Sequence, residues 1–166
     1  MADVAGKIKR KLMAHFINSA APGGEAEFVR LGKDLEEYSV EMNANVETAN
    51  NIIGDTSVTL DSYQPQASAD PFYAEVGDPM FERLQAIVDE RQTLDDLKSE
   101  IVEVHLWETP SSGAYTAYKE DVIIEVSSYG GDTTGYQIPF NVHHTGNRIK
   151  GTFNLSTRAF TAGSAE

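Results

Sequence analysis

The chain of 166 residues carries 13 Lys and Arg against 26 Asp and Glu, a net charge of −13, with no cysteine and one tryptophan. That length suits one domain with its own core. A surface so acidic is repelled by phosphate backbones and anionic lipid, which argues against sequence-specific nucleic-acid binding and membrane adsorption. The missing cysteines exclude disulfide scaffolds, thiolate nucleophiles and Cys-ligated zinc, and a 40% hydrophobic content argues against disorder.

Residues 1–11 form a basic arm: Lys7, Lys9, Arg10 and Lys11 stand against Asp3, net +3. The apolar residues 12–17 and the small Ser19, Ala20 and Ala21 imitate a secretory signal, but about six residues interrupted by His15 fall short of the roughly 7 to 15 of a signal core. No signal peptide is expected, and no window approaches the roughly 18 apolar residues of a membrane span. Residues 12–33 are neutral, residues 34–132 have net −18, and residues 133–166 have net +2. The ends are basic and the middle is acidic.

Alternation with period two predicts at least six strands. Tyr38, Val40 and Met42 oppose Glu37, Ser39 and Glu41; Val58 and Leu60 alternate with Thr59 and Asp61. Val102, Val104 and Leu106 oppose Glu103 and His105, and Val122, Ile124 and Val126 oppose Asp121, Ile123 and Glu125. Tyr136, Ile138, Phe140 and Val142 share a face, as do Ile149, Phe153 and Leu155. Gly130 and Gly131 mark a loop, and Thr145-Gly146-Asn147 predicts a tight hairpin, so residues 119–128, 136–144 and 148–155 are expected to form an antiparallel meander. Pro139 lacks an amide donor, which predicts an edge or a bulge there.

One helix is predicted over residues 79–92. Asp78 suits the N-cap and Pro79 the first helical position, while Met80, Phe81, Leu84, Ile87 and Val88 form one stripe. Residues 43–55 and 64–78 show no period and are expected to be long loops, a kind of segment that tends to be functional. The predicted plan is a basic arm (1–11), one β-sandwich domain of two antiparallel sheets with a flanking helix (12–162), and a short tail (163–166).

Little in the chain points to catalysis. Adjacent His143 and His144 would face opposite sides of a strand and cannot share a metal, and His15 and His105 have no local partner. Carboxylate doublets such as Glu36-Glu37 and Glu120-Asp121 arise readily on an acidic surface. No G-x-S-x-G, H-E-x-x-H or P-loop motif occurs. The expectation is a non-enzyme without metal or cofactor. Lys7, Lys9, Arg10 and Lys11 are too few for a strong nucleic-acid site; such an arm is solvated or docks on an acidic neighbour, another copy included. Trp107 and Ile101, on the face of Glu103 and His105, suit either ordinary surface exposure or partial cover by a neighbouring subunit.

An ordered set of segments carries a family resemblance: KLMAHFIN (11–18), RLGKDLEEYSVEMN (30–43), DPFY (70–73), GDPMFERL (77–84), EDVIIEV (120–126), YGGDTTG (129–135), IPFNV (138–142), TGNR (145–148) and KGTF (150–153). Together, over residues 11–162, they resemble the major tail (tail tube) proteins of tailed phages and prophages of Gram-positive bacteria. The resemblance implies a β-sandwich with one flanking helix, assembled as hexameric rings stacked into a tube through which DNA passes from capsid to host. It implies a location in the virion, with the tape measure, tail terminator and distal tail proteins as partners, and double-stranded DNA in transit without specific binding.

In such a tube, an acidic wall would discourage DNA adhesion over about a Debye length, roughly 8 Å. Glu37, Glu41, Glu103 and Glu125, on polar strand faces, are the expected lumen residues, paired as Glu37 with Glu41 or Glu103 with Glu125. Expected inter-subunit residues are Lys7, Lys9, Arg10 and Lys11 of the arm, Asn45, Asn50, Asn51, Ile52 and Ile53 of the first long loop, and Trp107. Alternatives are the inner tube of a contractile tail or tail-like bacteriocin, or a carbohydrate-binding β-sandwich using Tyr115, Tyr118 and Tyr129 as an aromatic platform.

Overall fold

Alternating apolar residues need a sheet on which to share a core, and the computed structural model, which describes residues 6–33 and 35–163, supplies one. Residues 1–5 of the basic arm and 164–166 of the tail lie outside the described residues. The strands in chain order are β1 (Met13–Asn18), β2 (Phe28–Leu31), β3 (Val40–Glu41), β4 (Ala44–Asn50), β5 (Thr56–Tyr63) and β6 (Gln66–Ala69). After helix α1 (Pro79–Glu90) come β7 (Lys98–His105), β8 (Ala114–Val126), β9 (Gly130–Asp132), β10 (Gly135–Gln137), β11 (Phe140–Asn154) and β12 (Ala159–Ala162). The fold is mainly β with one α-helix: a curled antiparallel sheet in the order β2-β1-β7-β8-β11-β6-β3, with β12 on β11, and two small hairpins, β4–β5 and β9–β10.

The sheet buries apolar residues on both faces. On one, Ile17, Ile101, Val122, Ile124, Phe140 and Val142 pack beneath Met80, Leu84, Ile87 and Val88 of α1. The helix begins where its sequence predicts: the Asp78 carboxylate accepts from the Met80 amide at 3.0 Å and Pro79 occupies the first turn. It ends at Arg91, whose φ of 49° is left-handed. Arg83 is buried and donates to the carbonyls of Ala20, Asp96 and Lys98, tying the helix to the sheet's flank. On the opposite face, Phe16, Phe28, Val102, Val104, Ala117 and Phe153 form a second core, with Phe16 and Phe153 ring centroids 4.6 Å apart.

Several expectations are corrected. β7 lies between β1 and β8 and is buried on both sides, so Ile101 and Glu103 do not face water opposite the valines. Residues 145–147 do not turn the chain back. They form a bulge within β11, where three residues stand between His144, paired with Val122, and Arg148, paired with Glu120. The Thr145 hydroxyl donates to the Asp121 carbonyl at 2.8 Å and the Asn147 amide to the Asp121 carboxylate at 2.9 Å. Gly146 takes a φ of 91° that a side chain would resist. These bonds hold the extra residues against β8, and the ladder resumes.

The meander is therefore one long pair, β8 with β11. Pro139 sits between β10 and β11, its carbonyl accepting from the Ser127 amide at 3.1 Å. Residues 43–55 are not an unstructured loop: β4 pairs with β5 from Ala44 opposite Tyr63 to Asn50 opposite Thr56. Within 64–78, the small Ala67 and Ala69 of β6 are fully buried beside β11, a strand whose small side chains left little hydrophobic pattern to read.

Candidate functional site

Three features distinguish this surface from that of a plain sandwich. The first is the β4–β5 hairpin, which among the described residues pairs with no other strand and is exposed at every residue. Directly paired residues share a face, so Val46 and Leu60, with Thr48 and Val58, make one apolar side, while Glu47 with Thr59 and Ala49 with Ser57 make the other. Val46 is 51% exposed and Val58 67%. An isolated two-stranded hairpin is marginal in water, and among the described residues nothing covers this one.

The tip is ordered by Asn51. Its side-chain oxygen accepts from the amides of Ile53 at 3.1 Å and Asp55 at 2.9 Å, and its own amide donates to the Asp55 carbonyl at 3.0 Å. Ile52 and Ile53 are thereby held outward, 104% and 77% exposed. The expected inter-subunit residues Asn45, Asn50, Asn51, Ile52 and Ile53 all belong to this hairpin.

The second feature is a polar sheet face. Pairing places Glu125 beside Asn141 and Asn141 beside Ser68, and in the adjacent row His143 beside Gln66 and Gln66 beside Glu41. Glu41 and Glu125 therefore share one side of the sheet. Glu37, Glu41 and Asp70 line one shallow hollow of about 270 Å³. The His143 ring bonded to Glu125, opposed by partial burial and aided by Asn141, holds that carboxyl below the usual range.

Glu103 is not part of this face. It belongs to the other side of the sheet, is 7% exposed and receives the Arg148 guanidinium at 2.7 Å, so the expected pairing of Glu103 with Glu125 on one wall is overturned. The reason is the parity of pairing: Glu103 stands opposite His15 and Tyr118, whereas Glu125 stands opposite Asn141.

The third feature is the polar cluster around Glu103. Beyond the part of this sheet face that α1 covers, the strands turn from apolar to polar together: Ile17 to His15, Ile101 to Glu103, Val122 to Glu120, Val142 to His144. His144 Nδ1 lies 2.5 Å from a Glu120 oxygen. Arg148 reaches Glu120 as well, at 3.9 Å, and its guanidinium lies 4.5 Å from the Tyr118 ring centroid.

Burial opposes charge on Glu103, but the Arg148 hydrogen bond and field outweigh it and hold this carboxyl below its usual range. Burial pushes His15 down to about 4, against the opposing pull of Glu103. Burial, reinforced by Glu103, raises the Tyr38 phenol. Arg10, an expected inter-subunit residue, donates to the carbonyls of Met13 at 2.5 Å and Tyr38 at 2.8 Å. Lys7, Lys9 and Lys11 are exposed.

These polar groups and the apolar Met13, Val40, Met42, Tyr63 and Pro65 line an open cavity of about 770 Å³ at the root of the hairpin. Among the described residues, no group of His, Asp and Glu is arranged to hold a metal. Sequence reasoning named Glu103 and Arg10 but missed Tyr38, Glu120, His144 and Arg148 as partners. The readable signal was the simultaneous apolar-to-polar change at one end of four strands.

Trp107 follows β7 and stacks on His105 with centroids 4.3 Å apart, half-buried. The three tyrosines of the carbohydrate reading do not form a platform: Tyr115 packs against the second core, Tyr118 lies under Arg148 on the other side of β8, and Tyr129 takes the Arg91 guanidinium. No protein-family model matches this chain, and no curated protein is significantly similar to it.

Proposed function

We propose that this protein is a structural subunit of a phage tail tube, without enzymatic activity, which self-assembles into stacked hexameric rings forming the conduit for DNA from capsid to host. The observation that carries this reading is the β4–β5 hairpin, an ordered amphipathic arm whose apolar side has no cover among the described residues. A chain with net charge −13 keeps such a side in water at a cost that association with another copy removes. The resemblance of residues 11–162 to tail tube proteins supplies the kind of assembly.

The polar sheet face bearing Glu41 and Glu125, with Glu37 beside Glu41 in one hollow, supports a role as the lumen wall, where it would repel phosphate and let DNA slide without specific binding. Tape measure, terminator and distal tail proteins would meet the tube along its length and at its ends. In this reading the protein resides in the virion.

The test is negative-stain electron microscopy of the purified, concentrated protein, with sedimentation across a dilution series. Rings or tubes of uniform diameter are expected. Monomers at every concentration overturn the proposal.

A further inference from the structure

Two parts of the molecule are complementary yet cannot meet within one chain. At the hairpin tip, Asn51 fixes the turn and Gly54, with φ of 91°, lets it close, so that Ile52 and Ile53 project as a preformed apolar knob with Asp55 beside them. At the hairpin root, Met42 and Tyr63, each 51% exposed, flank the cavity of about 770 Å³ together with Met13, Val40 and Pro65. At about 3.4 Å per strand residue, the seven residues of β4 place tip and root roughly 24 Å apart. A copy cannot fill its own cavity with its own tip.

We infer that the tip of one copy, Ile52 and Ile53, seats in the root cavity of the next, so that every copy donates a knob and accepts one. This deepens the proposed self-association by naming the two surfaces; it rests on that association and not on passage of DNA.

Three observations select this cavity. It is the roomiest of the candidates, against about 460 Å³ for the hollow between Ala20 and Ile123 and about 450 Å³ for that between Val88 and Tyr129. Its lining includes Met13, Val40, Met42 and Pro65, side chains suited to isoleucine, and its two carboxylates, Glu103 and Glu120, already face Arg148 and His144. It is also lined by Arg10, a cation that forms no ion pair among the described residues, and an incoming tip brings Asp55. Between chains of net −13, that pairing counts, because a docking surface of like charge would be repelled.

Knob and cavity are different patches, so the contact is heterologous. Repeated from copy to copy it closes into a ring or runs on as a helix. The knob is already ordered, so docking does not bear the entropy of folding the turn.

The chain has no cysteine, which makes the contact directly testable by disulfide trapping. Ile53→Cys protein is mixed under mild oxidation with epitope-tagged Met42→Cys protein, and separately with tagged Ser127→Cys protein, which probes the hollow beside Val88. The tagged–untagged product is read on a non-reducing gel. Cross-linking to Met42→Cys is expected to exceed that to Ser127→Cys by about tenfold or more. The doubly substituted Ile52→Asp, Ile53→Asp chain is expected to keep its circular dichroism spectrum and to self-associate at least about tenfold more weakly.

If wild-type protein assembles but the Met42→Cys cross-link is no stronger than the control, or the double Asp variant assembles normally, the inference is overturned and the tail tube reading stands. If wild-type protein stays monomeric throughout, both fall.

Discussion

In β8 and β11, Val122 and Ile124 stand with Val142 in a core with no exposure to solvent. In β4 and β5, Val46 pairs with Leu60 and Thr48 with Val58, and each of these residues is exposed. Both are antiparallel pairs, both alternate with period two, and both contain a register shift. What separates them is cover. The β8–β11 pair is flanked by β7 and β6, has α1 over one side and joins a second core on the other, whereas among the described residues the hairpin pairs with no further strand and every residue of both its strands is exposed. A β pair can thus be fully formed and still lack the cover that the rest of the sheet has.

The contrast can be broken hardest in the sheet. Phe140→Ala removes a fully buried ring and is expected to lower stability by about 3–5 kcal/mol, read as the urea midpoint. A loss below about 1 kcal/mol would mean that the sheet core is as replaceable as the hairpin.

A second test uses the polar interior. His15 has a folded pKa of about 4 against an ordinary value of 6.5, because burial resists its charge. A lowered histidine pKa means that the unfolded chain takes up the proton first, so stability falls as pH drops through the window between 6.5 and about 4. Between about pH 7 and 4.5 the loss is on the order of 2 kcal/mol. The depressed carboxyl of Glu103 adds its own loss only below its unfolded value of 4.5. His15→Phe is expected to flatten the decline between about pH 7 and 4.5 in denaturation curves; an unchanged slope would assign it to other groups.

Smaller still, Asp78→Ala removes the helix cap and is expected to cost about 1 kcal/mol, because α1 lies over the sheet and its loss is felt by that core. The smallest effect belongs to the hairpin: Leu60→Ser is expected to change monomer stability by no more than about 0.5 kcal/mol while reducing assembly seen by sedimentation. A large loss of monomer stability would show that the hairpin packs on its own chain.

Much of the fold was legible because its signals are local. The Asp78 and Pro79 pair with the stripe from Met80 to Val88 announced α1, and alternation from Val122 to Val126 announced β8. The hairpin was half legible: Val58 and Leu60 showed β5, but β4 alternates Asn45, Glu47 and Ala49 with Val46, Thr48 and Asn50, and so many asparagines masked a strand. Thr145-Gly146-Asn147 misled for a different reason. A glycine with polar neighbours serves a reversal or a bulge equally well, and bonds to Asp121, on another strand, decide for the bulge.

Of the four expected lumen glutamates, Glu37, Glu41 and Glu125 are exposed and two of them share a sheet face, while Glu103 is interior. The side on which a residue lies relative to its strand is set by parity and can be read along the chain. Whether that side is covered depends on which strands and helix arrive from elsewhere.

By itself the sequence determined the mainly β character, the single amphipathic helix with its cap, and an acidic middle between basic ends, because period, capping and charge are properties of neighbours along the chain. Only the tertiary structure decided that His15, Glu103, Glu120, His144 and Arg148 meet in one cluster and that the apolar side of the hairpin is left bare. Those outcomes depend on burial among residues as far apart as Glu103 and Arg148, and the free energy of a buried charge or an uncovered valine is fixed by what surrounds it in space.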